Sequence, residues 1–447
     1  NFSETQYIHP KYTPLAVSLQ TQQIRPQFDW TKLHFYDDTQ YSTEKSTPYK
    51  NIFTTLTLVP FLRIDNYNKN NTGIDFLKPG LYFLSSDVLD KLNMFGGAAI
   101  NRLLERDIFV SFEYRDRIIG LHQLGLSPTF SLQLFNITRK STQKDITIGI
   151  DKYNFDVTYG LFEFDFFFKH HLFSTADILT LGFAHSRYST DIGSFVLRGD
   201  DSHAPILVPS SSELYFKGND ISLQWEAKML ARSCDSEINP VGRTIDFSYD
   251  YEMNRFNSTG EYEATETGLN PKLTPYNFHK VELHYSEHFQ LPLWKHTLSL
   301  SLRGGSILGG TVPDYFDFYA GGLIGMRGYP FYAIGGNEIA TANLTYRFPL
   351  WENIDLRILH LYFDKLYASV HTDFGNAWTG KPNLQKFKKD IGFELRLESF
   401  SFYAYPTRIF FNGTYGLDSF TLNRNDITVR YGKEWRFYFG VLFGFEI

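Results

Sequence analysis

Residues 435–447 read Trp435-Arg436-Phe437-Tyr438-Phe439-Gly440-Val441-Leu442-Phe443-Gly444-Phe445-Glu446-Ile447. Successive side chains on a β-strand point to opposite faces. One face therefore carries Trp435, Phe437, Phe439, Val441, Phe443, Phe445 and Ile447. The other carries Arg436, Tyr438, Gly440, Leu442, Gly444 and Glu446. In water, such a strand would expose a ribbon of large apolar groups beside an unpaired edge, which invites aggregation. In lipid the same face needs no cover.

The alternation recurs upstream. Ile221, Leu223, Trp225, Ala227 and Met229 oppose Ser222, Gln224, Glu226 and Lys228. Ile245, Phe247, Tyr249 and Tyr251 oppose Asp246, Ser248, Asp250 and Glu252. Leu298, Leu300 and Leu302 oppose Thr297, Ser299, Ser301 and Arg303. Ile391, Phe393, Leu395 and Leu397 oppose Gly392, Glu394, Arg396 and Glu398. Two architectures produce this pattern. A soluble sandwich turns the apolar face inward, and a membrane barrel turns it outward. Strand length separates them. Tyr153 to Phe168 reads as one strand with a phase slip near Gly160, and Gly432 to Ile447 is equally long. Soluble strands usually have about 5–6 residues, whereas membrane strands need about 9–11.

Composition agrees. Phe (43) and Tyr (29) dominate an aromatic content of 17%, as the apolar band and aromatic girdles of a barrel require. The mean hydropathy of −0.27 is too polar for a bundle of membrane helices, and no run of about 18 apolar residues is present. The net charge of −6 argues against a nucleic-acid partner. Cys234 is the single cysteine, so no internal disulfide forms.

About sixteen strands fit between Asn51 and Ile447, joined by alternating short turns and long polar loops such as Asp191 to Ser212 and Asn254 to Pro275. Residues 1–49 carry Pro10, Pro14, Pro26 and Pro48 without periodicity and read as a periplasmic linker; the barrel is expected over residues 50–447.

Residues 318–350 read FYAGGLIGMRGYPFYAIGGNEIATANLTYRFPL. Glycines at 321, 322, 325, 328, 335 and 336 permit tight turns and close backbone approach. Arg327 sits among them. A lone arginine in such a loop is commonly solvated, but inside a barrel its charge needs a partner.

Met326-Arg327-Gly328-Tyr329 resembles the Val-Arg-Gly-Phe/Tyr signature of the BamA-like outer-membrane assembly factors, the bacterial surface antigen barrels. Tyr346-Arg347-Phe348-Pro349 and the run Asp373-Phe374-Gly375-Asn376-Ala377-Trp378 are similar to the segments that follow in that family. The terminal strand also resembles the family's targeting signal, with Ile447 where phenylalanine is usual. Gly392 to Arg396, Phe400 to Pro406 and Tyr415-Gly416-Leu417 resemble the subgroup whose barrel follows a TolB-like propeller.

The resemblance implies an all-β fold: a 16-stranded antiparallel transmembrane β-barrel with the glycine-rich loop, residues 306–336, folded into the lumen. It implies that Asp373, with Gly375 beside it, holds Arg327. A second acid common in relatives is replaced here by Thr345, which leaves Asp373 alone or aided by Glu338 or Glu394. It further implies a weak seam between residues 51–64 and 432–447, where Gly440 and Gly444 thin the packing. The expected location is the bacterial outer membrane, with the lipid bilayer, client outer-membrane or secreted proteins, and periplasmic or lipoprotein components as partners. The expected role is protein insertion or translocation. A structural anchor, or a diffusion or lipid-transport pore, remains open.

No HExxH, GxSxG, P-loop or CxxC pattern occurs, so no catalytic residue, metal ligand or cofactor is expected. The histidines read as interface or lumen residues.

Overall fold

The computed structural model describes residues 55–64, 73–87, 89–116, 119–123, 125–148, 151–197, 206–233, 235, 238–265, 268–293, 295–401, 405–424 and 427–443. The segment read as a linker, residues 1–49, lies outside them, as does Gly444.

Sixteen strands form one sheet. They are β1 (Thr55–Ile64), β2 (Leu77–Ser86), β3 (Leu92–Ile100), β4 (Arg106–Tyr114), β5 (Thr129–Ile148), β6 (Asp151–His170), β7 (Asp177–Ile192) and β8 (Ser211–Leu230). Then come β9 (Gly242–Phe256), β10 (Thr274–Gln290), β11 (Thr297–Leu308), β12 (Glu338–Trp351), β13 (Leu361–Trp378), β14 (Lys388–Ser401), β15 (Tyr405–Gly416) and β16 (Trp435–Phe443). Each pairs antiparallel with the next. A three-residue strand, Leu356–Ile358, adds to β13. Among the described residues no helix is long and apolar enough to cross a membrane.

The faces of the sheet are inverted relative to a soluble core. On β11, Thr297 and Ser299 are buried while Leu302 is 42% exposed. On β14, Asp390, Glu394 and Glu398 are buried while Ile391, Phe393 and Leu395 are exposed. On β16 the exposed residues are Trp435, Phe437, Phe439 and Val441, with Phe439 at 72%. Burying acids and exposing phenylalanines costs free energy in water. It is the stable arrangement when the outer solvent is hydrocarbon. The sandwich reading, which needs the Leu298, Leu300 and Leu302 face inside, is thereby excluded.

Two expectations need correction. The ladder between β6 and β7 runs unbroken through Gly160, opposite Ser189. The irregularity lies instead in β5, between Gln143 and Ile146. The second correction concerns closure. Among the described residues β1 pairs only with β2, and β16 only with β15, so the ends of the sheet are not zipped together. The local sequence is suited to an edge. Pro60 in β1 has no N–H to donate, and sheets tolerate proline at their edges.

The short-turn end of the sheet is tied across its polar face. Asp235, in the turn between β8 and β9, accepts from Lys365 Nζ of β13 at 2.5 Å and from the Tyr367 hydroxyl at 3.2 Å. Lys295, in the turn after β10, reaches the same carboxylate at 3.0 Å and Glu352 at 2.7 Å. Burial by itself would raise the Asp235 pKa. The ammonium groups of Lys365 and Lys295 outweigh it and pull the carboxyl down to about 2.

Candidate functional site, a glycine-rich loop latched to the polar face

The connection from β11 to β12 runs from residue 309 to 337 and folds onto the polar face of the sheet. Its apolar underside makes the main buried cluster: Phe316, Phe318, Met326 and Tyr329 pack with Phe278 of β10 and Ile307 of β11. The tip is knotted by its own backbone. Met326 N–H donates to the Ala320 carbonyl at 2.6 Å, and Gly322 N–H donates to Tyr329 at 2.9 Å. The knot buries Met326 and Tyr329 completely and projects Arg327 from its apex.

Arg327 meets Asp373 of β13 through a two-pronged fork. Nη2 reaches Oδ1 at 2.6 Å and Nε reaches Oδ2 at 2.9 Å, while the Arg327 backbone N–H adds a third bond to Oδ2 at 3.1 Å. A planar guanidinium matches a carboxylate in this way, and lysine does not. The carboxylate is fully buried, and the guanidinium is only slightly exposed.

Gly328 donates its N–H to Asp390 Oδ2 at 2.9 Å. A Cβ at this position would lie 2.6 Å from the Asp390 Cβ and 2.9 Å from the Gly416 Cα, so no larger residue reaches the contact. Tyr329 gives its hydroxyl proton to the Lys389 carbonyl at 2.9 Å and accepts from the Asp418 N–H at 3.1 Å. Further back, Asn343 of β12 donates to the Gly325 carbonyl at 3.1 Å, and Arg303 of β11 donates to Tyr319 at 3.1 Å. From the edge strand β16, the Tyr438 hydroxyl donates to the Arg327 carbonyl at 2.9 Å.

Of the residues singled out in the sequence, Met326, Arg327, Gly328, Tyr329 and Asp373 thus come together. Gly375 lies two residues along the same face, against Thr341 of β12. Gly440 is on β16, two residues beyond Tyr438. It is not an empty place in the packing, because the ring of Phe410 fills the space a side chain would take. Thr345 stands opposite His371, and of the two acids considered in its place Glu394 lies near enough for its charge to act on Arg327. Glu338 accepts from Ser306, and Glu394 pairs with Arg396. The second acid is Asp390, directly across the ladder from Asp373. Sequence reading missed it, although extending the β14 alternation back by one pair places it on the polar face. Asn343 and Tyr438 were legible only as polar-face residues.

Apolar strands turned outward, a polar face turned inward and a loop latched onto that face define a transmembrane β-barrel protein of the bacterial outer membrane. Residues 66–402 match the Omp85 superfamily domain, and the chain belongs to that superfamily. No curated protein sequence matches. Among solved structures, CdiB from Escherichia coli aligns at 13% identity and a TM-score of 0.48, over 89% of this chain and 63% of its own. CdiB from Acinetobacter baumannii aligns at 13% identity and a TM-score of 0.42, over 88% of this chain and 60% of its own. The copper transporter OprC aligns at 10% identity and a TM-score of 0.42, over 86% and 59%. The chain therefore spans about three fifths of the length of these proteins.

Proposed function

We propose that this protein inserts or translocates client proteins at the outer membrane. The loop of residues 306–336 sits in the lumen as a latched closure, and the edges of β1 and β16, which pair with no further strand among the described residues, receive the client. The work is conformational, without covalent chemistry. Superfamily membership supports the reading. The observation that carries it is the bond from Tyr438 to the Arg327 carbonyl. It makes the loop tip and the edge strand one mechanical unit, so movement of the edge and release of the loop are coupled.

In this mechanism a client strand adds to a free edge by β-augmentation, with main-chain hydrogen bonds supplying affinity. The client's own edge is satisfied as it leaves water, which a bilayer demands of every strand. The outward face of β16 meets lipid throughout. Clients are outer-membrane or secreted chains, and periplasmic or lipoprotein components deliver them. Cysteine pairs introduced between residues 55–64 and 435–443 test the seam. Oxidation to a locked edge should abolish client assembly in cells, and reduction should restore it. Full activity of a locked barrel would remove sideways opening from the mechanism.

A further inference from the structure

His371 lies two residues before Asp373 on the polar face of β13, and Asp390 stands across the ladder from Asp373. One ligand atom from each of the three lies within 4.8 Å of the others, and all three residues are buried.

The hydrogen-bond chain behind His371 assigns its tautomer. Asn412 Nδ2 donates to Glu394 Oε2 at 3.4 Å, which leaves Asn412 Oδ1 as an acceptor. Thr414 gives its one hydroxyl proton to that oxygen at 2.8 Å. Thr414 Oγ1 can therefore only accept from His371 Nε2, 2.9 Å away, and the imidazole proton sits on Nε2. Nδ1 keeps a bare lone pair and has no partner among the described residues.

The carboxylates are incompletely satisfied as well. Asp390 Oδ2 accepts from Gly328, but its Oδ1 is buried without a hydrogen-bond partner among the described residues. Asp373 Oδ2 is taken by Arg327 Nε and N–H, and Oδ1 accepts from Nη2. A carboxylate oxygen has two lone pairs, so one on Oδ1 stays open.

We infer that His371 Nδ1, Asp373 Oδ1 and Asp390 Oδ1 form a divalent metal site of the imidazole–carboxylate kind that suits zinc. A water takes the fourth position. Metal-ligating histidines donate their other N–H to a fixed acceptor, the role Thr414 fills here. Arg327 stays on Asp373, and the ion ties β13 to β14 directly beneath the latch. The inference does not depend on the transport reading, because the ion is measured without a client.

The test titrates the full chain, folded in detergent micelles, with Zn²⁺ by calorimetry and with Co²⁺ by its absorption spectrum. Folding of each variant is checked by heat-modifiable gel migration. The wild type should take up one ion per chain with a tetrahedral Co²⁺ spectrum. His371→Ala should lose it, and His371→Gln replaces that variant if alanine does not fold. Thr414→Val keeps all three ligands but removes the acceptor, and should weaken binding by about 10–100-fold. Absence of stoichiometric binding by the wild type would overturn the site, leaving a shared proton between the two aspartates. Unchanged binding by the His371 variants would overturn it equally, assigning the ion to other histidines.

Discussion

Asp390 stands directly across the ladder from Asp373, and the two carboxylates grip consecutive residues of one loop tip. Asp373 takes the Arg327 guanidinium at 2.6 and 2.9 Å, and Asp390 takes the Gly328 N–H at 2.9 Å. Neighbouring acids repel, and the Arg327 guanidinium and the Gly328 N–H offset that repulsion. The latch is thus a property of two strands and a loop together.

Removing one partner of a buried ion pair strands the other charge, at a typical cost of about 3–5 kcal/mol. Arg327→Ala and Asp373→Ala should each lower barrel stability by that order in urea unfolding from lipid vesicles. The double variant should cost less than the sum, since the residues share one interaction. Strict additivity would mean the fork contributes nothing as a pair.

Gly328→Ala tests the approach without changing charge. The added Cβ would press on Asp390 and Gly416. Overpacking of this kind costs about 1–3 kcal/mol. The loop should lift, and residues 318–336 should become cleavable by added protease in folded protein. Wild-type resistance to cleavage would show that the tip does not need this contact.

The inverted faces predict a sharp asymmetry on β11. Leu302→Arg places a charge in lipid and should cost about 2–4 kcal/mol near the bilayer midplane. Ser301→Arg, one residue earlier on the polar face, should fold into vesicles with far smaller loss. Equal effects of the two substitutions would contradict the assignment of faces.

The Asp235 junction predicts a pH dependence. Its folded pKa is depressed to about 2, below the ordinary carboxylate value of 3.8. A depressed carboxylate contributes stability above its unfolded pKa and loses it as pH falls through the folded one. The stability gap between wild type and Asp235→Asn should be full at neutral pH and should close between about pH 4 and pH 2. A gap that persists at pH 2 would place the effect elsewhere.

Strand identity and facing were legible because period two survives in any strand with one face in lipid, as the β11, β14 and β16 runs do. The loop tip was legible through the Arg327 motif. Asp390 was not, because it lies just before the regular run that begins at Ile391 and follows two lysines. Asp235 was invisible for a different reason: its partner Lys365 lies 130 residues away, and only the curvature of the sheet brings them together. The tautomer of His371 likewise depends on Thr414, one strand beyond its immediate neighbour. Contacts across strands carry no local signal.

Client capture at the edges is the central claim, and site-specific photo-crosslinking in cells measures it directly. A photoreactive phenylalanine analogue is placed at Val59 in β1, at Phe439 in β16 and, as a control, at Leu300 in β11. The account predicts adducts with unfolded client chains at Val59 and Phe439 and none at Leu300. Adducts absent from both edge positions, or equally abundant at Leu300, would contradict it.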